Sequence, residues 1–210
     1  MSGSKETYAV NEDRPTYGRR AAQRILLACL SVAGAASSAA AARPDPIIPP
    51  PMPANLEVPE GNRPFLMVHA YGTQNYICLV TGQPWAFIGP QATLFNDAAA
   101  QTLTHFLSIN PIDNGAAATW QHSRDSSAIW ARAVESSTDP DYVQPGAVAW
   151  LKLRVVGALA GPTGGVKISR ATFVQRVNTV GGSAPSDTCP AVGARAFVPY
   201  ETDYIFYKAE

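Results

Sequence analysis

The sequence predicts an all-β fold, an antiparallel β-sandwich or closed barrel in one domain with minimal helix. Three observations carry this. Short apolar runs recur from about Val58 to the end of the chain, at the spacing of sandwich and barrel strands. Turn residues separate them: Thr81-Gly82-Gln83-Pro84, Asn96-Asp97, Asn114-Gly115, Gly161-Pro162-Thr163-Gly164-Gly165 and Gly181-Gly182. No stretch of that region sustains a 3.6-residue apolar stripe.

The first 42 residues do not read as fold. Arg19, Arg20 and Arg24 precede an uncharged run from Ile25 to Ala42. Ala40 and Ala42 then supply small residues at a cleavage position before Arg43. This is the three-part pattern of a secretory signal, so residues 1–42 are expected to leave the mature protein. An uncleaved anchor is the competing reading, weakened by the Ala/Ser/Gly-rich second half. Arg19-Arg20 raises twin-arginine export, but the hydrophobic pair usually following it is missing. Leu26-Leu27-Ala28-Cys29 resembles a lipoprotein box, although the apolar run continues past Cys29. Export to the periplasm or the cell exterior is the expectation, with no stable transmembrane span after cleavage.

Residues 43–57 read as a Pro-rich linker, with six Pro between Arg43 and Pro53. Proline fixes φ and removes a donor, so extended polyproline II backbone is expected there. The β domain then runs over 58–210. Its candidate strands are 65–70, 75–80, 85–88, 92–95, 103–107, 118–122, 128–134, 149–156, 166–170, 172–178 and 200–207, with a further turn at Gly72-Thr73. The alternation is clearest at Trp150, where Leu151, Leu153 and Val155 oppose Trp150, Lys152 and Arg154. A short helical turn is the alternative for 97–107, where Ala98-Ala99-Ala100-Gln101 favours helix.

Charge narrows the partners. The whole chain balances 16 basic against 16 acidic residues. Without 1–42 it holds 11 basic and 13 acidic, a slight negative excess. No basic surface is available to neutralise phosphates, so nucleic acid is excluded as a partner. An envelope or extracellular ligand is expected instead; the oligomeric state is not readable. Cys78 and Cys189 remain after the leader departs, an even pair suited to an oxidising compartment, and a disulfide between them is expected. Two buried thiols, or a metal pair lacking further ligands at suitable spacing, are the alternatives.

Several motifs together resemble the domain of unknown function 3455 family. They are Val58-Pro59-Glu60-Gly61-Asn62, Ala70-Tyr71-Gly72-Thr73-Gln74-Asn75-Tyr76-Ile77-Cys78, Gln175-Arg176-Val177-Asn178-Thr179, Gly181-Gly182-Ser183-Ala184-Pro185, and Pro199-Tyr200 with Asp203-Tyr204-Ile205-Phe206-Tyr207. The resemblance spans nearly all of 57–207. Thr73 and Asn75 depart from it, standing where β-branched apolar residues are commoner. It implies a compact β domain in an exported protein of bacterial or fungal type, with no settled activity. Some fungal members carry a malate dehydrogenase label; this chain lacks the Gly-x-Gly-x-x-Gly turn and the βαβ alternation such an enzyme needs.

Candidate chemistry is sparse. His105, His122 and Asp125 could form a catalytic or metal-binding cluster if the strands bring them together, although two His 17 residues apart are no ligand signature. The ordinary reading of each is a hydrogen-bonded structural residue. Trp120, Arg176 and Asn178 are candidate binding residues; Arg176 and Asn178 alternate with apolar positions and could face one groove. His69 reads as a satisfied core or edge residue. Ser126, Ser127 and Ser183 lie outside any Gly-x-Ser-x-Gly elbow. No cofactor is implied and no metal site is firm. The first functional expectation is a ligand- or surface-binding or structural module; the alternative is an extracytoplasmic hydrolase-type enzyme or metal-binding protein using the His/Asp cluster.

Overall fold

The computed structural model describes residues 45–210. The expected signal segment, its cleavage point and Cys29 lie outside the described residues. Eight antiparallel strands follow one another around a closed barrel: β1 (Asn62–Ile77), β2 (Ala86–Phe95), β3 (Gln101–Ile109), β4 (Ala116–His122), β5 (Ala128–Ser137), β6 (Trp150–Leu159), β7 (Ala171–Gly181) and β8 (Arg195–Ala209). Each strand pairs with its sequence neighbours, and β8 returns to β1. The all-β expectation holds, and the barrel alternative is the observed one. Closure follows from length: β1 and β8 have 16 and 15 residues and pair along nearly their whole extent, from Asn62↔Ala209 to Ile77↔Arg195. A closed sheet leaves no unpaired edge.

Several sequence expectations are corrected. The candidate strands 65–70 and 75–80 are one strand, because Gly72 continues the ladder instead of turning it. A Cβ at Gly72 would run into the backbone of Gln91 and Ala92 on β2, so the glycine marks a close approach of strands. Strands 85–88 and 92–95 likewise merge into β2, whose bulge lies near Gly89. Residues 97–107 form a turn and then β3, with no helix. Residues 166–170 form no strand; they close one end of the barrel, with Ile168 fully buried.

Alternation sorts the walls. Val68, Leu94, Leu103, Trp120, Ile129, Leu153, Val174 and Phe206 fill the inside as one core. The outer positions of β1–β3 include Arg63, His69, Thr73, Gln91, Thr93, Thr104 and Ser108. Thus the apolar face points inward. Among the described residues, no helix is long and apolar enough to cross a membrane.

A second apolar cluster lies outside the barrel, across β6, β7 and β8. It joins Leu56, Val143, Trp150, Val177, Ile205 and Tyr207, with Met52 and Val58 packed against them. The Pro-rich segment is extended through Pro53, as its composition predicts, and makes a single 3-10 turn at Ala54–Leu56. It lies as a strap against the wall rather than hanging free as a linker would. Gln175 Nε2 donates to Leu56 O at 2.7 Å, and Lys152 Nζ donates to Asn55 O and Glu57 O at 2.6 and 3.0 Å. Burying Leu56 over Trp150 supplies the apolar gain that offsets ordering the strap.

Cys78 and Cys189 form the expected disulfide, with Cα atoms 5.4 Å apart and a sequence separation of 111. It ties the β1–β2 loop to the β7–β8 loop at one end of the barrel. Gly82 N and Cys189 N add backbone hydrogen bonds between those loops, to Cys189 O and Gln83 O.

Candidate functional site: a polar-floored pocket inside the barrel

The two ends of the barrel are filled differently. Toward the 160–170 loop, Leu94, Leu103, Ile129, Ile168 and Phe206 pack solidly. Toward the disulfide-tied end, β4 and β5 present Ala118, Ala131 and Ala133 to the interior. Methyl side chains leave space that the opposing Leu151 and Leu153 do not fill. A pocket of about 250 Å³ results, with Phe87, Pro90 and Leu107 on the remaining wall.

The inner end of this pocket is polar and aromatic. His105 and Trp120 are cross-strand partners whose rings stack 4.2 Å apart at 11°. Tyr204 meets both rings edge-on, at 5.1 and 5.3 Å. His105 Nδ1 lies 2.8 Å from Thr119 O, so Nδ1 carries the proton and donates it to that carbonyl. Burial pushes the His105 pKa down to about 3; the Thr119 carbonyl opposes this, and the charge of Arg176 adds to it. The ring is therefore neutral at ordinary pH.

Arg176 enters the pocket from β7, opposite Leu151 and Tyr204 in the ladders. Its Nε and Nη2 donate to Ala149 O at 3.1 and 2.7 Å. Among the described residues no carboxylate pairs with it. Gln74, Trp120 and Tyr204 also line the pocket; their Nε2, Nε1 and OH atoms are buried behind its inner end and make no hydrogen bond of full geometry, although Tyr204 OH lies beside Tyr200 and Arg176, and Tyr200 OH beside Gln74. Such orphaned buried groups are uncommon, because each forgoes its bonds to water. No Asp or Glu lines the pocket.

The structure therefore unites three sequence candidates, His105, Trp120 and Arg176, and separates the other three. His122 is opposite Leu103, two residues along β4 from Trp120, at the filled end. Its Nδ1 lies 2.9 Å from Asp125 Oδ1. Asp125 is a turn-builder: Oδ1 accepts from Ser127 N and Oγ at 3.0 and 2.7 Å, and Oδ2 from Lys167 N at 2.9 Å. Burial opposes ionisation of Asp125, but these hydrogen bonds outweigh it and hold the carboxyl at about pKa 2. His105 thus does not share a site with His122 and Asp125. Among the described residues no group of three His, Cys, Asp or Glu is placed to hold a metal.

Asn178 does not face the pocket with Arg176. A register shift between Val177 and Val180, with Asn178 at φ 52°, turns its side chain outward. There Asn178 Nδ2 donates to Asp203 Oδ2 at 2.8 Å. Asp203 Oδ1 lies 2.6 Å from His69 Nδ1, and His69 Nε2 lies 2.9 Å from Asp97 Oδ1. His69 is thus a clamp between two acids on the outer wall. The hydrogen bonds to Asp97 and then Asp203 raise its pKa, against a smaller opposing effect of burial.

Gln74 and Tyr204 were not singled out by the sequence. Their signal was present: Val68, Ala70, Gly72 and Gln74 alternate inward once β1 is read through the glycine. Tyr204 stands between Tyr200 and Phe206 at the same period of two.

No curated protein and no solved structure matches the chain. The model of a family described as "Protein of unknown function (DUF3455)" matches residues 59–208, from just before β1 to the last turn of the β8 ladder. That span contains all of the barrel but the last residue of β8, its disulfide and every residue of the pocket, and by it the chain belongs to this family.

Proposed function

We propose that this protein is a small-molecule binder that holds its ligand inside the barrel, entered from the disulfide-tied end. The observation that carries the reading is the incompletely filled interior: a pocket of about 250 Å³ whose inner end is formed by Gln74, His105, Trp120, Arg176 and Tyr204. A barrel of eight strands is just wide enough for side chains or one small ligand. Here alanines give up part of that width, and concave, mostly apolar sites with a few polar groups are the usual form of ligand sites. The enzyme reading draws less support, since His105, His122 and Asp125 stand in separate environments.

Export to the periplasm or cell exterior belongs to the same proposal. The disulfide is of the kind that persists in oxidising compartments. The sequence of residues 1–42 adds the signal pattern. Mass spectrometry of the protein exported by a bacterial host should give a chain beginning at Arg43.

The binding test uses thermal-shift and ligand-observed NMR screens of small organic compounds against wild type and Ala133→Trp. Ala133 is exposed at the pocket mouth, so a bulky ring there blocks entry without overpacking the core. Compounds that bind wild type and not Ala133→Trp support the proposal. An absence of binders, or binders indifferent to Ala133→Trp, overturns it.

A further inference from the structure

Resting on the lumenal-binding reading, we propose that the ligand is a small organic monocarboxylate, its acid group against Arg176 and its apolar body along the alanine wall.

The charge argument comes first. A guanidinium carries five N–H donors and cannot be neutralised by deprotonation. In Arg176, one Nε–H and one Nη2 hydrogen serve Ala149 O. The remaining donors and the full positive charge have no anionic partner among the described residues. A half-buried, unpaired cation inside an apolar barrel is costly, and an anion entering beside it recovers that cost.

The neutral groups agree in polarity. Gln74 Nε2, Tyr204 OH and Trp120 Nε1 can each donate, and none makes a hydrogen bond of full geometry, although Tyr204 OH lies beside Arg176 and Tyr200, and Tyr200 OH beside Gln74. With the free N–H groups of Arg176, these donors outnumber the acceptor left at His105 Nε2, and they suit an acceptor-only ligand group. An ionised carboxylate is acceptor-only and planar, and it fits the fork of a guanidinium. Charge count separates it from phosphate. Two Arg line the pocket, but Arg132 is held by Asp113 at 2.6 and 3.0 Å; with Arg176 alone lacking an acid, no Lys in the lining and a neutral His105, a dianion would leave a net buried charge.

The apolar part sets the rest. Ala118, Ala131, Leu151, Leu153, Phe87 and Leu107 offer carbon surface on the way to the mouth. The volume of about 250 Å³ is below the roughly 300–1,000 Å³ of drug-sized sites, which restricts the body to a single small ring or a short branched chain.

The test uses benzoate and its uncharged counterpart benzyl alcohol as probes, titrated into the purified protein by calorimetry and by Trp indole NMR shifts. Benzoate is expected to bind wild type at least about tenfold more tightly than benzyl alcohol, the difference expected of a charge-assisted bond. Arg176→Gln should abolish that preference while leaving benzyl alcohol binding within about twofold. Tyr204→Phe, which removes only the oxygen, should weaken benzoate by about three- to tenfold. Tyr207→Phe, whose hydroxyl donates to Gln175 Oε1 outside the barrel, should leave binding unchanged. Equal affinity for the two probes, or a benzoate preference that survives Arg176→Gln, overturns the carboxylate proposal and leaves the lumenal reading standing. If neither probe binds or shifts the indole signal, and the wider screen is also empty, both fall. If Arg176→Gln does not fold, Arg176→Lys decides: losing the fork while keeping the charge should weaken benzoate, and unchanged affinity overturns the proposal.

Discussion

His105 and His69 show how one residue type is driven in opposite directions by its surroundings. His105 is enclosed by Trp120 and Tyr204, and burial keeps it neutral, with a pKa of about 3. The unfolded chain protonates it near 6.5, so between these values the unfolded state binds more protons. Stability should therefore fall as pH drops below about 6.5, before most carboxylates titrate. His69 has a raised pKa from Asp97 and Asp203. Its contribution is complete below the unfolded value and is lost as pH rises through the folded one. Urea midpoints measured from pH 5 to 8 should separate the two. His105→Gln should flatten the acidic limb, and His69→Gln should flatten the neutral-to-alkaline limb. If His105 titrates by NMR near its ordinary value, its burial between Trp120 and Tyr204 is wrong.

At the scale of elements, the strap and the strands were unequally legible. Leu151, Leu153 and Val155 against Trp150, Lys152 and Arg154 announce β6 because a half-buried strand must alternate, and it does. The Pro run announces extended backbone, since φ is fixed locally. That Leu56 docks on Trp150 and Ile205 depends on residues a hundred positions away, which no local pattern holds. Gly72 misleads for the same reason: a glycine in a strand resembles a turn until the neighbouring Gln91 backbone is in place. Asn178 follows Arg176 at strand spacing, and only the bulge sends it to the other wall. His122 and Asp125 were readable as a polar cluster but not as a turn-closing one, because Lys167 arrives from a different loop. The strap yields a direct expectation. Leu56→Ala should destabilise the barrel by about 2–5 kcal/mol by chemical denaturation, as for other fully buried leucines. A loss under about 0.5 kcal/mol would mean the strap is dispensable.

For the whole molecule, the disulfide and the ladders divide the work of closure. The bond spans 111 residues, and cross-linking so long a loop restricts the unfolded chain by about 4–5 kcal/mol in the chain-entropy account. Replacing Cys78 and Cys189 by Ala should lower unfolding stability by about 2–5 kcal/mol while the far-ultraviolet β signal persists, because β1 and β8 still pair over their length. Loss of the β signal itself would mean that closure depends on the bond. The same seam has a consequence in time. The chain grows from β1 toward β8, and the partner of the first strand is the last one made. Until residues 195–209 emerge, seven strands form an open sheet with β1 as its bare edge, and no interior exists to be occupied. An enclosed lumen therefore requires synthesis to have passed residue 209, and a chain cut short before residue 195 would carry Arg176 and Trp120 but present them to water.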